Sequence, residues 1–135
     1  MNALYDFFLT PQPKDSNKTR YHARLVVRDT ITLEDIAETI ESRSSLRQSD
    51  VIGSFIEFAN VFKQELSNGN SIHIPGIGSF RIKAESPEVR SPKEIRAENI
   101  HCSGIVFTPE KDLLRELKAT TFEKEIGRAS CRERV

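Results

Sequence analysis

The sequence predicts an α+β fold, and three observations carry that reading. Apolar residues recur with a period of two at 21–27, 72–82 and 100–107, and with a helical period between 33 and 66. Turn and stop signals, Ser42 to Ser45, Asn68-Gly69 and Pro75-Gly76, separate these stretches. The chain has 135 residues, 37% hydrophobic and 30% charged, which is one soluble domain's worth. A chain of this size buries roughly two-thirds of the surface it exposes when unfolded. The order read from the sequence is β-α-α-β-β-arm-β-α.

Residues 1–20 read as a short apolar anchor at Phe7, Phe8 and Leu9, then a loop with Pro11, Pro13 and the polar run Asp15 to Thr19. From Tyr21 to Val27, Tyr21, Ala23, Leu25 and Val27 alternate with His22, Arg24 and Val26, predicting a strand with one buried face. Residues 1–30 are thus an extension with one added strand, whose expected role is to cover a sheet edge. Thr32 has the character of a helix N-cap, with Asp35 as its capping-box partner. Behind it Leu33, Ile36, Ala37 and Ile40 share one helical face, giving a helix of about ten residues.

A second helix is predicted over Gln48 to Ser67, ended by Asn68 and Gly69. Its apolar residues, Val51, Ile52, Phe55, Ile56, Phe58, Ala59, Phe62 and Leu66, span an arc of roughly 160°, wider than the stripe of about 100° that a one-sided helix needs. A domain this small has few elements to surround such a helix, so the excess points to a subunit interface.

Ile72 and Ile74 predict a short strand and Pro75 to Gly78 a tight turn. Phe80 and Ile82 then face inward, with Arg81 and Lys83 outward. A polar, proline-punctuated stretch from Ala84 to Asn99 is too long for an ordinary hairpin loop and leads to a strand at Ile100 to Phe107. Thr108 and Pro109 are expected at the N-cap and first position of a last helix carrying Leu113, Leu114 and Leu117. Glu125 to Val135 follows no periodicity and resembles the translation of a common short-read sequencing adapter. It is set aside as a non-native tail.

Several classes of function lose support here. No apolar run approaches the roughly 20 residues of a membrane span, and the apolar stretch from Leu4 to Leu9 carries Asp6 and lacks a basic leader, so a cytoplasmic protein is expected. His22, His73, His101 and Cys102 show no metal-ligand spacing, and no cofactor is expected. Catalysis is not expected either: adjacent His101 and Cys102 point to opposite faces of a strand, Gly78-Ser79 lacks the second glycine of a nucleophile elbow, and no phosphate-cradling loop occurs.

Two helices joined by a polar hinge, then Asn68 to Phe80 (NGNSIHIPGIGSF), a strand-flanked arm, and Val106 to Leu113 (VFTPEKDL) resemble the bacterial histone-like HU and integration host factor (IHF) family over about Thr32 to Lys118. The most specific pieces are Gly76-Ile77-Gly78-Ser79-Phe80, similar to the family's G-F-G-x-F turn, and Phe107 to Lys111, similar to its F-x-P-G-K. Residues 1–30 lie outside the common pattern and suggest a variant branch, with the family domain at 31–124. The resemblance implies an IHF-like fold: an obligate dimer with a helical base and a three-stranded sheet extended into β-ribbon arms. Such arms grip the DNA minor groove and bend the duplex.

Carried over residue by residue, the resemblance makes Pro92 of Arg90-Ser91-Pro92 the intercalating wedge, with Pro87 a rival for the arm tip. Arg81 is the outward cation beside Lys83, which stands at the arm base. Lys93 and Arg96 are phosphate contacts on the returning strand, and Lys111 lies at a helix N-terminus. Val51, Phe55, Phe58, Phe62, Phe80 and Phe107 are the expected dimer interface. The expected partners are double-stranded DNA and a second copy or a paralogue, with no membrane and no small-molecule substrate.

Charge placement agrees with this direction. Residues 31–69 hold three basic and seven acidic side chains, net −4, whereas residues 70–109 hold five and four, net +1, and residues 1–30 five and three, net +2. The departures from the family are Glu85, Glu88, Glu94 and Glu98, which dilute the arm and predict weak, sequence-independent binding. The competing expectation is an interaction or scaffolding module of the same fold with little or no DNA binding.

Overall fold

The computed structural model describes residues 2–12 and 15–125. Its elements are β1 (Ala3–Gln12), β2 (Asp15–Val26), α1 (Leu33–Arg43), α2 (Gln48–Ser67), β3 (Ile72–Ile74), β4 (Gly78–Glu85), β5 (His101–Pro109), α3 (Lys111–Lys118) and β6 (Phe122–Lys124). Two single-turn 3-10 helices, Pro92–Glu94 and Ala97–Asn99, lie between β4 and β5. The chain forms two compact units: one from the N-terminal residues through Ile31 together with the chain from Leu117 onward, the other Thr32–Glu116.

The first unit is a three-stranded sheet ordered β2-β1-β6. This corrects the expected extension on three points. Residues 3–12 and 15–20 are strand rather than loop, the hairpin is a sheet of its own rather than cover for another sheet's edge, and residues 122–124 close it in parallel with β1. β1 hid from periodicity because Leu4, Tyr5, Phe7, Phe8 and Leu9 are apolar on both faces. Pro11 is tolerated because β6 reaches only Ala3 to Tyr5, which leaves β1 paired on one side farther along. Across the hairpin, Arg24 Nε donates to Asp6 Oδ1 at 2.7 Å and Nη2 to Oδ2 at 3.3 Å. That hydrogen bond, and then the carboxylate's charge, hold the Arg24 guanidinium above its ordinary pKa.

In the second unit, the predicted helix boundaries reflect local chemistry. Thr32 Oγ1 accepts from the Asp35 N–H at 3.2 Å, and Asp35 Oδ2 accepts from the Thr32 N–H at 3.0 Å, a complete capping box. At the other end of α2, the Asn70 N–H reaches the Glu65 carbonyl (3.2 Å) and the Gly69 N–H reaches Leu66 (3.0 Å). This is the paired bonding of a Schellman stop, and it requires Gly69 at φ 87°.

The second sheet is ordered β3-β4-β5, antiparallel throughout. Gly78 is held at φ 150°, and a Cβ there would sit 2.2 Å from the Thr108 carbonyl oxygen and 2.9 Å from Pro109 Cα. Only glycine lets β4 approach β5 this closely. Phe80 pairs with Phe107 and Ile82 with Ile105 on one face, while Arg81 and Lys83 point to the other. An aromatic series runs from α2 into this sheet: ring centroids are 6.2 Å apart for Phe55 and Phe58, 5.7 Å for Phe58 and Phe62, 5.2 Å for Phe62 and Phe80, and 4.8 Å for Phe80 and Phe107.

Two further expectations are corrected. The segment expected as an extended arm leaves the strand geometry after Glu85 and makes two 3-10 turns before β5 begins at His101. The final helix starts at Lys111 because Thr108 and Pro109, expected at its cap and first turn, remain in β5 opposite Ser79 and Gly78. Of the tail set aside at 125–135, Glu125 is buried and its N–H donates to the Tyr5 carbonyl at 2.9 Å, while residues 126–135 lie outside the described residues.

Candidate nucleic-acid interface

The outer face of the β4–β5 pair is built by alternation. Residues 79, 81, 83 and 85 stand on it opposite Thr108, Val106, Gly104 and His101. A β-bulge after Lys83 places Ser103 as the extra residue, whose hydroxyl donates to the Lys83 carbonyl at 3.4 Å. Arg81 and Lys83 are therefore brought together on one exposed face, as the sequence implied. What the sequence did not disclose is that Lys83 Nζ lies 3.4 Å from Glu85 Oε1, so one of the diluting acids sits on the same face and pairs with it. Residues at i and i+2 of a strand share a face, which is the signal that would have shown it.

Arg90, Ser91, Pro92 and Lys93 gather around the first 3-10 turn. Ser91 caps it, accepting from the Lys93 N–H at 3.4 Å, and the Glu94 carboxylate accepts from the Arg90 N–H at 3.4 Å. Glu94 is thus engaged with backbone. Pro92, the first residue of the turn, is exposed, as are Arg90, Lys93 and Arg96. Lys93 and Arg96 are not on a returning strand, as expected, but in and just after the first turn, because regular pairing resumes only at His101.

Lys111 is the first residue of α3, beside Glu110. The Glu110 carboxylate accepts from the Gly76 N–H at 2.9 Å and lies 3.2 Å from His73 Nε2, while His73 Nδ1 is 3.2 Å from Ser79 Oγ. A carboxylate beside this helix start makes it a poorer anion site than Lys111 alone implies. Neither His73 nor Glu110 was singled out from the sequence for this pairing, which links positions 37 residues apart.

Of the six residues expected at a subunit interface, Phe55, Phe58, Phe62, Phe80 and Phe107 form the series described above, and Val51 is buried on α2. Within one chain, α2 buries only Val51 and Leu66 among its described residues, and Phe55, Ile56, Phe58 and Val61 remain 43%, 55%, 44% and 53% exposed. Among the described residues no three His, Cys, Asp or Glu side chains gather as a metal site, and no helix is long and apolar enough to cross a membrane.

A family model described as an HU domain fused to a winged helix-turn-helix, an Ig domain or a glycine-rich motif matches residues 1–124. The chain belongs to this HU-HIG family. The match takes in the N-terminal hairpin. The finer assignment to an IHF-like branch is not what the match identifies. A crystal structure from Bacteroides vulgatus ATCC 8482, of a protein described as a candidate bacterial DNA-binding protein, superposes with a TM-score of 0.61 at 16% identity. The likeness covers 90% of this chain and 47% of that one, so this chain spans about half its length, and it supports an HU-like α+β fold. No curated protein matches the sequence.

Proposed function

We propose that this HU-HIG domain is a dimeric architectural DNA-binding module of the nucleoid. Two copies close through α2, and the β4–β5 surfaces with their connecting segments grip the minor groove and bend the duplex with little regard to sequence. The observation that carries this reading is the division of the second unit's sheet. One face continues the phenylalanine series of α2, and the other presents Arg81 and Lys83 ahead of an exposed turn with Arg90, Pro92, Lys93 and Arg96. Pro92 suits a wedge because its ring is apolar and its φ already restricted, so little entropy is lost on insertion.

The dimer explains the half-exposed phenylalanines of α2, which a single chain leaves in water at a cost of about 25 cal/mol per Å² of apolar surface. The paired acids explain why binding is weak: Glu85 must yield Lys83 before a phosphate can take it. With about 6 to 8 phosphates neutralised per dimer, log K falls with log salt at a slope of about −5 to −7. A salt-titrated binding assay on straight and pre-bent duplexes tests this. The expected result is preference for bent DNA with that slope, and absence of any shift at low salt would leave the scaffolding alternative in its place.

A further inference from the structure

The β2-β1-β6 sheet has a face that duplex binding by the second unit does not use. Register places Tyr5 opposite Leu25, Phe7 opposite Ala23 and Leu9 opposite Tyr21, with Phe122 beside Ala3 and Lys124 beside Tyr5, all on one face. Four aromatic rings, Tyr5, Phe7, Tyr21 and Phe122, thus stand on three adjacent strands. Phe7, Tyr21 and Phe122 are 52%, 64% and 55% exposed. Among the described side chains of these strands the carboxylates avoid it: Asp6 and Glu123 fall on the opposite side by the same register. The cation it carries, Lys124, lies 5.2 Å from the centre of the Phe7 ring. Between the rings the small Ala23 leaves an open groove of about 450 Å³ lined by Tyr5, Ala23, Arg24, Leu25 and Phe122, within the range of small-ligand sites of roughly 300–1,000 Å³.

We propose that this face is a stacking platform for unpaired nucleobases, a second nucleic-acid site made of residues other than those that would hold duplex. Rings standing on a sheet take splayed bases against their faces, and the contact tolerates any sequence because every base has a π-face. Charge is complementary on the face itself: among its described residues the ionic group is the Lys124 ammonium, with the Asp6 and Glu123 carboxylates on the opposite side. Lys124 can move from the Phe7 ring to a phosphate as a base replaces it. A protein strand adding to the β2 edge would use backbone groups and leave the rings uncovered, so it does not account for them. With one ammonium among the described residues of the face, the salt dependence is shallow, a slope of about −0.7 per phosphate contacted.

The chain has two tyrosines and no tryptophan, and both tyrosines lie on this face, so intrinsic tyrosine emission reports on it directly. The test uses the full chain with an oligo(dT) of about ten nucleotides, within the usual site size of roughly 4–16, and a duplex of equal length. Oligo(dT) should quench tyrosine emission. Tyr21→Ala and Phe7→Ala should each weaken oligo(dT) binding roughly tenfold, Tyr21→Phe should restore it, and none of the three should change duplex binding. The triple change of Arg90, Lys93 and Arg96 to Glu should do the reverse, which separates failure of this site from failure of the duplex reading. No quenching, or an affinity for oligo(dT) indifferent to Tyr21→Ala, overturns the proposal. So does self-association that Tyr21→Ala abolishes, since a second copy would then occupy the face.

Discussion

In the β3-β4-β5 sheet one face holds Phe80 stacked on Phe107 and the other holds Arg81 and Lys83. Among the described residues of the β2-β1-β6 sheet one face holds four rings and one lysine, and the other mixes Phe8 and Leu4 with the Asp6–Arg24 pair. Both obey the same period of two, yet only the first was legible along most of its length. Periodicity is a contrast between faces. Where one face is charged, as at Arg81 and Lys83, the contrast is plain, whereas β1 is apolar on both faces and reads as a short oily run.

Experiments that break this comparison can be ordered by size. The largest effect is expected for Gly78→Ala, because its Cβ meets the Thr108 carbonyl at 2.2 Å in backbone that cannot yield. A loss of about 4 kcal/mol or more in denaturant unfolding is expected, against little change in any ring of the first sheet. Phe62→Ala follows, costing about 3 kcal/mol by interrupting the series between α2 and Phe80. Phe58→Asp, more exposed, should leave the fold intact and give a monomer in sedimentation equilibrium. Retention of the dimer would remove α2 from the interface.

Smaller effects sharpen the picture. Thr32→Ala removes the acceptor for the Asp35 N–H and should cost about 1 kcal/mol, read as a lower melting temperature. Glu85→Gln frees Lys83 and should strengthen duplex binding about two- to threefold at low salt, with a salt slope steeper by up to about 1 for each Lys83 freed. An unchanged slope would mean that Lys83 does not reach phosphate. Oligo(dT) binding should ignore Glu85 altogether.

Sequence alone determined the two central helices almost to the residue, since the Thr32–Asp35 box and the Asn68-Gly69 stop are local devices that work through bonds within a few residues. It also determined the inward and outward faces of β4 and the excess of apolar surface on α2. Tertiary structure decided what depends on distant partners. It placed Thr108 and Pro109 in β5 opposite β4 rather than in a helix, turned the segment around Pro92 into 3-10 geometry, and set Glu110 against Gly76 and His73. It also joined Phe122 to Lys124 with β1, across more than a hundred residues. Strand pairing is a contact between segments that sequence separation hides, whereas a helix closes its hydrogen bonds on itself.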